Sequence, residues 1–102
     1  MNTDNLVAHA RARFDHEAAK RVLKEKYQGK LTFAYAGGMW KAGPELLTLL
    51  QAIPAKDSVV ILDLYENPVR INPLELQHLA FERWQELMNA WLVEYENNSR
   101  QR

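Results

Sequence analysis

The sequence predicts an α+β domain in the order helix, β-hairpin, short helix, β-hairpin, long helix. The two hairpins are expected to form one four-stranded antiparallel sheet with the helices packed on one face. Three observations carry this expectation. Each end of the chain holds a long run of helix formers with apolar residues every three or four positions. Gly37-Gly38 separates two stretches of alternating large and small side chains. Asn72-Pro73, directly after a β-branched strand pair, is a strong helix start.

The first helix is expected from about Asp4 to Tyr27, a stretch without Gly or Pro, with Gly29 as its stop signal. Its apolar stripe, Val7, Ala10, Phe14, Ala18 and Val22, is thin and leans on alanine. In the first hairpin, Leu31 to Ala36 and Met39 to Ala42 flank a two-residue Gly37-Gly38 turn. That register sets Ala36 opposite Met39, Tyr35 opposite Trp40 and Phe33 opposite Ala42. Leu31, Phe33, Tyr35 and Trp40 then share one face, the expected core face. Gly43-Pro44-Glu45 opens the short helix, because Pro suits the first helical position and an acid there suits the helix dipole. Leu46, Leu47, Leu49, Leu50 and Ile53 make it apolar nearly all round, which predicts thorough burial, and Pro54 ends it.

Ser58 to Leu64 reads as a strand paired with Val69-Arg70-Ile71 across a four-residue loop closed by Leu64 and Val69. This register pairs Leu62 with Ile71, and Asp63 with Arg70 as a cross-strand ion pair. The last helix is expected from Asn72, its N-cap, to about Asn98, with Glu75 placed to reach back in a capping box. Leu76, Ala80, Trp84, Leu87, Met88, Trp91 and Tyr95 form its stripe, widened by Leu79 and Leu92. At ~1.5 Å per residue each terminal helix is about 35 Å long against strands of about 20 Å, so part of each must overhang the sheet. Residues 1–98 are expected to form a single domain, and Ser99 to Arg102 a frayed polar tail.

Thirteen basic and thirteen acidic residues cancel, which disfavours nucleic acid and anionic membranes as partners. Residues 1–43 carry eight Lys/Arg against four Asp/Glu, and residues 44–102 five against nine, so the halves are near +4 and −4 and suited to attract each other. The absence of cysteine removes disulfides, thiol nucleophiles and thiolate metal sites. With no apolar run approaching a membrane span and no signal-peptide pattern, a cytoplasmic protein is expected.

No catalytic, metal or cofactor constellation emerges. His9, His16 and His78 form no H-x-x-x-H or H-E-x-x-H pattern. Gly37-Gly38 lacks the spacing of a phosphate-cradling loop and lies between strands. Asp63 and Glu66 read as an ion-pair member and a polar turn residue, and Ser58 and Ser99 have no nearby histidine to activate them. Tyr35 and Trp40 with Lys41 have the flavour of a single-strand binding face, but core packing is the better reading at zero net charge. Trp84, Met88, Trp91, Leu92, Tyr95, Phe14 and Trp40 are the interface candidates, because tryptophan and tyrosine concentrate at binding hot spots and the helix overhang needs cover.

The runs Ala36 to Leu47 (AGGMWKAGPELL), Leu62 to Pro68 (LDLYENP) and Met88 to Glu96 (MNAWLVEYE) together resemble a group of short proteins of T4-like tailed bacteriophages. The resemblance covers most of the chain and brings no catalytic residue with it. It implies a phage protein acting in the host cell cytoplasm or in the virion. The expected function is therefore a non-enzymatic interaction protein, self-associating through its terminal helices, in virion structure or assembly. The alternatives are a modulator that inhibits a host enzyme or defence protein, and a small-ligand or nucleotide-binding domain.

Overall fold

The computed structural model describes residues 3–54 and 57–100. Its elements follow the expected order: α1 (Thr3–Lys30), β1 (Thr32–Tyr35), β2 (Gly38–Lys41), α2 (Pro44–Ala52), β3 (Val59–Leu62), β4 (Pro68–Ile71) and α3 (Pro73–Arg100). α3 runs through Ser99 and Arg100, and the last two residues of the expected tail, 101–102, lie outside the described residues.

The strands do not merge. β1–β2 and β3–β4 are separate two-stranded antiparallel sheets, not one four-stranded sheet. They are joined at Met39, whose carbonyl accepts from Leu64 N–H (2.8 Å) and whose N–H donates to the Asp63 carboxylate (3.0 Å). A side chain stands where the next strand's carbonyl would be, so the ladder stops after one residue.

Both hairpin registers differ from the sequence expectation. In the first, Phe33 pairs with Trp40 and Tyr35 with Gly38, so the turn is Ala36-Gly37. Both turn residues have positive φ, 52° and 82°, as a type I′ turn requires. Gly38 is placed in the strand by close approach: a Cβ there would lie 2.9 Å from Val69 Cγ2 and 3.2 Å from Asp63 Cβ. The shift is of two residues and leaves the faces unchanged, so Leu31, Phe33 and Trp40 are buried as expected.

In the second hairpin the shift is of three residues, and an odd shift turns a strand over. Ile61 pairs with Val69 and Val59 with Ile71, which directs Val59 and Ile61 to the core and leaves Leu62 59% exposed. The cause is Asp63. Its carboxylate accepts from Tyr65 N–H (3.0 Å) and Asn67 N–H (2.9 Å), and Asp63 N–H donates to Asn67 O, closing the loop earlier than expected. Asp63 therefore makes no pair with Arg70, which instead donates to Ser58 Oγ.

α3 starts as expected. Asn72 Oδ1 accepts from Leu74 and Glu75 N–H, each at 3.1 Å, and Leu76 N–H bonds Asn72 O. The return bond from Glu75 to Asn72 is not made. Leu76 and Ala80 are fully buried against Leu31, Phe33, Trp40, Leu47, Leu50 and Ile71. α2 is less buried than expected: Leu47 and Leu50 enter the core while Leu49 is exposed.

α1 runs past its expected stop at Gly29. It ends at Lys30, whose carbonyl accepts from Arg83 (3.3 Å), and its buried residues are Leu23 and Tyr27. Val7, Phe14 and Val22 of the thin apolar stripe are 51%, 70% and 63% exposed. α1 runs antiparallel to α3, with Tyr27 beside Trp91 and Lys26 beside Glu94. Residues 5–15 are all exposed and extend past the α3 partner, so the molecule is 67 × 24 × 21 Å. Its radius of gyration is 19.5 Å, against about 13 Å for a compact chain of this length.

Candidate functional site

Two surfaces stand out: the α1–α3 helical arm and a groove where the arm meets the hairpins. The arm is held by a clasp that the sequence reading missed. Tyr27 stacks on Trp91, with ring centroids 5.7 Å apart and planes 10° from parallel. The Tyr27 hydroxyl donates to Glu94 Oε1, and Lys26 Nζ reaches the same oxygen at 2.6 Å. Lys26 and Lys30 both sit 5.4 Å from the Tyr27 ring centre. The Lys26 hydrogen bond, then that of Tyr27, holds the Glu94 carboxyl below its ordinary pKa. Reciprocally, the bond to Glu94 raises Lys26 and the Tyr27 phenol. Leu23, Tyr27 and Leu31, spaced four apart, were the signal for this face.

On the far side of α1, Val7, Phe14 and Val22 are exposed and Ala18 is half-buried, and Ala18 and Val22 edge a shallow hollow shared with Glu94 and Asn98 of α3. At about 100° per residue, Val7, Ala10, Phe14, Ala18 and Val22 fall within about 120° of one another, opposite Leu23 and Tyr27. The stripe is thus turned away from the buried face of α1, with Val7, Phe14 and Val22 exposed.

The second surface is an open groove of about 610 Å³ between β2, α2, the Leu62–Leu64 segment and the middle of α3. All three tryptophans, Trp40, Trp84 and Trp91, contribute to its walls, with Leu46, Leu49, Leu62, Leu64 and Met88. Lys41, Glu45, Gln28 and Asp63 are its polar members. The size and apolar lining suit a ligand or an inserted partner segment. Asp63 is committed to structure: N–H groups of Asn67, then Met39 and Tyr65, bond its carboxylate and lower its pKa.

The interface candidates divide between these surfaces. Trp84, Met88 and Trp91 are half-buried in the groove, and Trp84 meets Phe81 edge-to-face at 6.4 Å. Leu92 and Tyr95 lie exposed on α3, and Phe14 is exposed on the α1 stripe. Trp40 is 2% exposed and belongs to the core, its indole N–H donating to Tyr35 O at 2.9 Å.

Of the histidines, His9 is exposed, His16 is half-buried on α1, and His78 Nε2 is 3.1 Å from Glu82 one turn along α3. Among the described residues no three His, Asp or Glu side chains converge on a point that could hold a metal ion. No helix among them is long and apolar enough to cross a membrane. No protein-family model, curated protein or solved structure matches the chain.

Proposed function

We propose that this chain is a non-enzymatic protein–protein interaction module that self-associates through its helical arm. The single observation behind this reading is the outward stripe of α1, which leaves Val7, Phe14 and Val22 in water along a helix that projects beyond the rest of the fold. An apolar face of that kind lowers its free energy by meeting another apolar face. Light scattering at micromolar concentration tests it: the expected mass is at least twice the 11.9 kDa of one chain. A monomer at that concentration removes the self-association.

The resemblance to short T4-like phage proteins supports a role in virion structure or assembly, for which mass spectrometry of purified virions is the test. The tryptophan-lined groove favours a second reading, in which the chain seizes and inhibits a host enzyme or defence protein. That reading requires one host protein to co-purify from expressing cells and to be lost when Leu49 and Leu62 at the groove are changed to Glu. Occupation of the same groove by a small ligand instead requires a metabolite that raises the melting temperature, as any ligand bound only by the native state does.

A further inference from the structure

The inner part of the outward stripe of α1 is symmetric about Phe14. Ala10 and Ala18 stand four residues to either side, and Val7 and Val22 lie beyond them. A two-fold interface sets one patch against itself, so a residue ahead of the axis meets its counterpart behind it. Two antiparallel α1 helices with their axis at Phe14 therefore place ring beside ring, Ala10 beside Ala18 of the second copy, and Leu6 beside Val22 with Val7 next to it. The alanines admit helix axes to within about 8–10 Å, and the larger residues fill the centre and the ends.

Charge selects the direction. Arg11 and Arg13 precede Phe14, whereas Asp15 and Glu17 follow it. Although each Arg has an acid four residues on, none of the four forms an ion pair among the described residues. In the antiparallel arrangement Arg11 and Arg13 of one copy run alongside Asp15 and Glu17 of the other. A parallel, in-register pair sets each charge beside its like.

We propose, resting on the self-association above, that the occupant of this face is α1 of a second copy, antiparallel and two-fold symmetric at Phe14. The tryptophan groove lies at the hairpin end of each molecule, so such a dimer is a rod with one groove toward each end. Two molecules 67 Å long that share about 33 Å of helix span about 100 Å.

The absence of cysteine makes the arrangement directly testable. Full-length Ala10→Cys and Ala18→Cys chains are mixed and oxidised, and the linked peptides are identified by mass spectrometry. The expected product joins position 10 to position 18, and X-ray scattering of the wild-type dimer is expected to give a maximum dimension of about 100 Å. Links of 10 to 10 and 18 to 18 overturn the antiparallel direction. A dimer by light scattering that forms neither kind of link overturns the α1 interface while leaving self-association standing; a monomer removes both. Phe14→Glu, outside the core, is expected to raise the dissociation constant about tenfold or more with the circular dichroism of the fold unchanged. An unchanged constant refutes the Phe14 axis.

Discussion

Replacing Gly38 with Ala tests the junction of the two hairpins. Gly38 has no positive φ, so its backbone accepts alanine, and the whole penalty is steric. The new Cβ arrives 2.9 Å from Val69 Cγ2 and 3.2 Å from both Asp63 Cβ and Trp40 Cζ2, all in packed surroundings. Overpacking of this kind costs about 1–3 kcal/mol. Reduced freedom of the unfolded chain returns about 0.4–1 kcal/mol, for a net loss of about 1–2 kcal/mol. Gly37→Ala has open space around it but φ of 82°, so its cost of about 1–2 kcal/mol comes from the backbone. Ala36→Asn makes the turn Asn-Gly, the favoured type I′ pair, and is expected to stabilise by about 0.5–1 kcal/mol. Urea unfolding followed by tryptophan fluorescence reads all three as shifts of midpoint at constant slope, about 1 M downward for Gly38→Ala. If the turn were Gly37-Gly38, Ala36 would be a strand residue and Ala36→Asn would destabilise. That result, or an unchanged midpoint for Gly38→Ala, refutes the register and the hairpin contact together.

Three further outcomes follow from the geometry. Leu76→Ala, at a fully buried position, is expected to cost about 2–5 kcal/mol in the same unfolding assay, whereas Leu74→Ala, two residues earlier on the exposed side, should stay within about 0.5 kcal/mol. Asn72→Ala removes the acceptor of two helix-start N–H groups and is expected to cost about 1 kcal/mol, with Asp at the same position retaining most of the stability. The clasp has a pH signature. Because the Glu94 pKa is depressed, its contribution is present above the ordinary glutamate value of 4.5 and is lost as pH falls through the lowered value. Lys26 and Tyr27 are raised, so theirs is present below 10.5 and 10.0 and is lost as pH rises through the raised values. Glu94→Gln should flatten both limbs in a thermal-unfolding series from pH 2 to 12, leaving the acid loss due to Asp63, and an unchanged profile would show that the clasp does not contribute.

Caps and prolines in the sequence mark the ends of two helices because they act over a few residues. Asn72-Pro73 sets the start of α3 because the cap is satisfied within four residues. Pro44 and Pro54 bracket α2 because proline restricts its own backbone and that of the preceding residue. The alternation in 31–42 marks the core face of the first hairpin although the turn falls at Ala36-Gly37, since a shift of two keeps the faces. The second hairpin had no such protection. The carboxylate of Asp63, spent on its own loop and on Met39, moved the register by an odd number and turned Leu62 outward.

By itself, then, the sequence determined which elements exist, their order and the start of the last helix, because caps, turns and periodicity act over a few residues. Only the tertiary structure decided which face of α1 is buried and whether four strands become one sheet. α1 carries two weak apolar faces, Val7-Phe14-Val22 and Leu23-Tyr27, and local pattern favours the longer one. The choice falls to the shorter face because Tyr27 meets Trp91 and Glu94 from the far end of the chain, more than sixty residues away. That contact leaves the stronger sequence pattern on the outside, where the proposed interaction begins.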